Sequence, residues 1–258
     1  MISKIEISVP HSWADLSEKQ FLAVSEMLLS TGKSEEYIQI WALKFFSGLK
    51  ILKAAGPGLF LCKFKKRKIL LESYQINFHR KKLSWITDVP KGIKPLRKLK
   101  GFRPVFDTLE GSPLKLYLAA ENYYQAYLYT EDNFYLRCLA SVLYSAGTNW
   151  NDSNTAKQQN KFKHCSPAKL FTIFLWYNSI KQILSDKFPF LFSPSENTGS
   201  ETPDMRSHIN NMLRVLTSCD VTKMNAVLDS ETWYALYELN EKAREVEKFN
   251  TKQRNGKI

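Results

Sequence analysis

The chain has 258 residues, 44% apolar and 24% charged, an ordinary globular balance with length for one large domain or two small ones. Only ten glycines and ten prolines argue against a fold of many tight β-turns and for helices, and a 13% aromatic share supplies a substantial core. The net charge is +12, and the stretch from Cys62 to Arg103 holds fourteen basic residues against Glu72 and Asp88, so the whole excess sits there.

Met1–Pro10 has no apolar signal-peptide core, and the most apolar run, Leu170–Tyr177, is about half the length of a membrane span. A soluble intracellular protein with no membrane association is expected. The four cysteines, Cys62, Cys138, Cys165 and Cys219, form no CxxC pair and read as reduced thiols.

Taken in order, Ile5, Ile7 and Val9 alternate with polar residues and predict a half-buried strand that Pro10 stops. Ser17-Glu18-Lys19-Gln20 is a capping-box pattern opening a helix that buries Phe21, Leu22, Val24, Leu28 and Leu29 and ends near Gly32. A second helix follows from Ser34 to about Leu49, with Tyr37, Ile38, Trp41, Phe45 and Phe46 on its apolar side, prolonged through Ile51–Ala55 to Gly56-Pro57-Gly58. Leu59–Phe64 and Ile69–Leu71 read as paired strands around a turn at Lys65-Lys66-Arg67-Lys68. With the N-terminal strand they make a small sheet, because a lone hairpin is marginal. Ser73 opens a helix to about Ile86, and Asp88–Pro104 is irregular.

From Pro113 the pattern is helix after helix: 113–129 with Leu114, Tyr117, Leu118, Tyr124 and Leu128 inward, one capped by Asp132, and one over 168–187. Gly147–Asn160 reads as a loop and Ser193–Asp204 as a polar linker. Short helices over 205–218 and after Thr222 precede a last helix from Ser230-Glu231, with Trp233, Leu236, Leu239, Ala243 and Val246 as its stripe and a frayed tail from Asn250. The fold class is mainly α (α+β): a multi-helix globular body with a small N-terminal two- or three-stranded β element. The parts are 1–104 with the basic stretch 62–103, a helical body 105–192, a linker 193–204, C-terminal helices 205–250 and a tail 251–258.

The candidate site residues are the basic ones, as a partner- or polyanion-binding set: Lys63, Lys65, Lys66, Arg67, Lys68, Arg80, Lys81, Lys82, Lys98, Lys100 and Arg103. Tyr74, Phe78, Trp85 and Phe102 interleave with them. Three readings stay open: a solvated face whose aromatics point into the core, a surface for an acidic protein, or one for nucleic acid. The first is the expectation for the aromatics, with the lysines facing out. His79 and His164-Cys165 lack partners at ligand spacing, and nucleophile-elbow, Walker, Rossmann and HExxH patterns are absent. No catalytic residue, metal or cofactor is expected, and the chain reads as a non-enzyme.

Three stretches together resemble a known group. Val9-Pro10-His11-Ser12-Trp13-Ala14-Asp15-Leu16-Ser17, followed by Gln20-Phe21, resembles the opening of small proteins encoded in phage tail gene clusters. Ala120–Tyr144 resembles a helix pair of that family. Leu216–Glu247 resembles the C-terminus of uncharacterised Bacteroidetes phage and prophage proteins, with Ser218-Cys219 where glycines are more usual before Asp220-Val221-Thr222-Lys223. The resemblance implies a phage or prophage tail-region protein without catalytic residues, a tail assembly chaperone or tail component. Its partners would be tape-measure or tube proteins, met in the host bacterial cytoplasm during assembly or in the virion. The alternative is a basic nucleic-acid-binding protein of a phage or mobile element.

Overall fold

The computed structural model describes residues 7–30, 32–144, 155, 157–192 and 205–254. Among them the protein is mainly helical with one small three-stranded antiparallel sheet, the fold class expected from the sequence. The helices are α1 (Glu18–Leu29), α2 (Glu35–Ser47), α3 (Ser73–Lys81), α4 (Leu114–Thr130), α5 (Asn133–Leu143), α6 (Pro167–Lys187), α7 (Met205–Leu216), α8 (Met224–Asp229) and α9 (Thr232–Arg254). The strands are β1 (Lys50–Gly56), β2 (Leu59–Phe64) and β3 (Arg67–Glu72), in that order across the sheet. Two compact units result: residues 1–94 with 167–179, and residues 95–166 with 180–258. The two portions of α6 therefore belong to different units.

In the first unit the capping box forms as its residues dictate: Ser17 Oγ accepts from Gln20 N, and the Gln20 side chain accepts from Ser17 N. Trp13 is buried edge-on between Phe21 and Trp85, and Trp85 Nε1 donates to Pro10 O at 3.3 Å. Ser34 caps α2, and Gly48, left-handed at φ 72°, ends it. That stop rules out the predicted prolongation of the helix. The residues after Gly48 do not prolong the helix; they form β1, which supplies the third strand in place of the N-terminal segment. Ile7 and Val9 are buried on either side of exposed Ser8, so the period-two burial is real, but residues 7–9 join no ladder. Residues 4–6 of that predicted strand lie outside the described residues.

The buried side of α2 is Ile38, Gln39, Ala42 and Leu43, and not the aromatic row. Tyr37 and Phe45 are exposed, with the Trp41 and Phe45 rings stacked at 5.1 Å. Ser73 donates to Gly58 O through both its N–H (2.7 Å) and its hydroxyl (2.8 Å), fixing the start of α3 to the β1–β2 turn. α3 ends at Lys81, short of Ile86, and a separate 3-10 turn over Ser84–Ile86 follows.

The second unit is built on α4 and α5. Its core includes Leu114, Tyr117, Tyr124, Leu136, Leu139, Val142 and Tyr144. Leu128 is exposed rather than inward. Asp132 caps α5 by accepting from Phe134 N at 2.8 Å. Tyr144 Oη donates to Leu96 O at 3.0 Å, holding the irregular chain around it. Part of the predicted 147–160 loop is helical, at Thr155, Lys157 and Gln158 and in a 3-10 turn over Gln159–Phe162; 147–154 and 156 lie outside the described residues, as does the predicted linker 193–204. α9 continues past Asn250 to Arg254.

Candidate functional site

The strand register organises the basic residues of the first unit. Lys50 pairs with Lys63 across β1–β2, and Lys63 pairs with Lys68 across β2–β3. Directly opposed residues share a face, so three lysines stand in one row spanning the sheet. At roughly 4.8 Å between strands the row is only about 10 Å wide. The next row on the same face is Lys53, Leu61 and Leu70, with Leu70 56% exposed. The opposite face carries Ile51, Cys62 and Ile69 in one row, with Cys62 fully buried. All four lysines are exposed, and among the described residues none of their side chains makes a hydrogen bond or ion pair. Lys50 and Lys53 lie outside the 62–103 window. No sequence signal singles them out, because Ile51–Ala55 suits a helix as well as a strand, and only strand pairing brings them to Lys63.

Lys65, Lys66 and Arg67 are also exposed at the β2–β3 turn, where Lys65 sits in the left-handed region at φ 54°. Arg80 differs from the rest. Its Nη1 lies 2.9 Å from Glu36 Oε1 and 3.2 Å from Gln39 Oε1, so it ties α3 to α2 and is largely withdrawn from solvent. Lys81 and Lys82 are exposed beside two aromatic rings that the sequence placed in the core. Tyr74 is 65% exposed and Phe78 60%, and Lys82 Nζ sits 4.6 Å from the Phe78 ring centroid. Residues 74, 78 and 82 recur at helical spacing, forming one aromatic-cationic stripe along α3 and its C-cap residue Lys82. Trp85 and Phe102 are half-buried, as expected of packed rings.

Lys98, Lys100 and Arg103 are exposed and belong to the second unit. Lys100 (φ 50°) and Gly101 (φ 89°) form a two-residue turn closed by reciprocal hydrogen bonds between Leu99 and Phe102. The basic stretch is thus divided between the units.

A second surface lies on α9. Leu236 and Leu239 are buried, and Phe190 N and Leu191 N, just beyond the end of α6, both donate to Asn240 Oδ1 of α9. Val246, seven residues past Leu239 and so on the same face, is 59% exposed, with Phe249 beside it 56% exposed. The apolar stripe that packs the first half of α9 therefore emerges into solvent. Trp233 is half-buried, its ring edge-on to Phe188 and its Nε1 donating to Thr108 O at 3.2 Å.

Two of the buried thiols are quiet. Burial raises the Cys62 thiol pKa and pushes Cys138 up to about 11, so neither supplies a thiolate near neutrality. His164 is exposed while its neighbour Cys165 is buried. Among the described residues no three His, Cys, Asp or Glu side chains gather as a metal site, and no helix is long and apolar enough to cross a membrane. Comparison with protein-family models, curated proteins and solved structures finds no match for this chain.

Proposed function

We propose that this chain is a binding protein of a phage or prophage tail region, an assembly chaperone or tail component without catalytic activity. The partner is an apolar helical segment of a tape-measure or tube protein, taken up along α9 in the host cytoplasm. The observation that carries this reading is the emergence of the α9 stripe: buried at Leu236 and Leu239, it continues outward at Val246 and Phe249. Solvent-exposed apolar side chains in register with a packed face suit helix-against-helix recognition. The likeness of 9–21 and 120–144 to tail-cluster proteins, and of 216–247 to uncharacterised phage and prophage proteins, supports the choice of partner.

The test is co-purification with the product of a neighbouring tape-measure or tube gene. A Val246→Asp, Phe249→Asp double variant should lose the complex while keeping its melting temperature, since both positions are exposed. Full retention of the complex by that variant removes α9 as the docking face. Location of the gene in a replication or transposition locus, with no tail genes nearby, counts against the tail assignment itself.

A further inference from the structure

The lysine row on the sheet is not explained by the fold. Like charges directly opposite across strands destabilise a sheet. Lysines on edge strands guard against edge-to-edge pairing, which accounts for Lys50, Lys53 and Lys68. It does not account for Lys63, which lies on the central strand between two other lysines. Tyr74 and Phe78 follow directly where β3 ends, with their rings in solvent and Lys81 and Lys82 exposed alongside.

We infer that Lys50, Lys63 and Lys68, together with Tyr74 and Phe78 of α3, form a binding site for single-stranded nucleic acid. The ammonium groups take the phosphates, and the rings take unpaired bases by stacking. Lys68 is ~14 Å of strand from the end of β3 at ~3.4 Å per residue, a span that a few nucleotides cover. An acidic peptide would use the lysines and leave the two rings without a role. A duplex would offer phosphates but no free base faces. The site is independent of the α9 surface and uses different residues.

The experiment is fluorescence anisotropy of a labelled oligo-dT of about 15 nucleotides, near the upper end of single-strand site sizes, with the full chain. With about three phosphates neutralised, affinity should fall at least roughly 20-fold between 50 and 200 mM salt. A Lys63→Glu, Lys68→Glu variant should bind at least about tenfold more weakly and with a flatter salt response. A Tyr74→Ala, Phe78→Ala variant should also lose about tenfold, with its salt slope unchanged. All four positions avoid the core, and circular dichroism checks that each variant is folded. Absence of binding at low salt overturns the proposal. So does equal competition by poly-glutamate, which would assign the row to an acidic protein, or equal affinity for duplex with no loss on removing the rings.

Discussion

The hydroxyls of Ser112 and Thr232, 120 positions apart in the chain, lie 2.8 Å from each other in the interior of the second unit. Ser112 Oγ donates to Leu109 O at 2.6 Å, and Thr232 Oγ1 lies 2.8 Å from Ser112 O. The backbone joins in: Thr232 N donates to Ser112 O at 2.7 Å and Leu114 N to Ser230 O at 2.8 Å. The first residues of α4 and α9 are thereby clamped, each satisfying groups that a helix start leaves open. Thr232→Val keeps the shape and removes the hydroxyl. It should cost about 1–3 kcal/mol in urea denaturation, the range for a buried polar group losing its partner.

Glu121 of α4 is buried and paired with Lys181 of α6, while Gln125 Nε2 donates to the same Glu121 oxygen at 2.7 Å. Lys181 Nζ also sits 5.0 Å from the Tyr124 ring centroid. Burial, reinforced by the Glu121 charge, raises the Tyr117 and Tyr124 phenols well above their usual range. Lys181→Met removes the cation paired with a buried carboxylate and should destabilise by about 3 kcal/mol. Adding Glu121→Leu should restore most of the loss, and chemical denaturation of the single and double variants measures the difference.

Charge in the sheet trades stability for occupancy. Lys63→Glu turns two cross-strand repulsions, with Lys50 and Lys68, into attractions. At about 0.2–1 kcal/mol per pair the variant should be more stable than the wild type by up to roughly 2 kcal/mol. A melting curve in low salt reads the gain, which should shrink as salt is added. A loss of stability would mean that the row is compensated by neighbours.

His79 carries a pH signature. Burial lowers its pKa below 6.5, with the Lys82 charge adding to the effect, and its Nδ1 is buried without a hydrogen-bond partner. The Phe78 ring stands edge-on to it at 5.4 Å. In the unfolded chain the imidazole protonates first, so stability is unaffected above about pH 7.5 and falls as pH drops through 6.5 toward the lower folded value. His79→Gln should flatten this part of the pH–stability curve, measured as the urea midpoint between about pH 7.5 and 5.

Much of the fold was legible because local chemistry decided it. Ser17, Ser34 and Asp132 are caps whose side chains bond the next turn, and such signals need no tertiary context. The strand Leu59–Phe64 and the end of α6 at Lys187 coincide with the bounds the sequence predicts. What escaped was set by pairing and packing. The β1 segment predicts a helix as readily as a strand because Ile51–Ala55 suits either period over so short a run, and only Gly48 and the ladder to β2 decide the matter. The lysine row escaped for the same reason, since no spacing along the chain joins Lys50 to Lys63 and Lys68. Apolar type misled at Tyr37, Phe45, Tyr74 and Phe78, where the neighbouring small or aliphatic residues take the inner face and the rings are left outside.

The way α9 is anchored bears on how fast a partner can be captured. An isolated helix of about a dozen residues is marginal because its first turn is costly to nucleate. Here the turns bearing Val246 and Phe249 extend a helix already nucleated at Thr232 and held by Leu236 and Leu239. The partner proposed for this end would therefore meet a helix that is already ordered. Little backbone entropy remains to be lost on contact, so association should be limited by encounter and orientation rather than by folding of the docking helix.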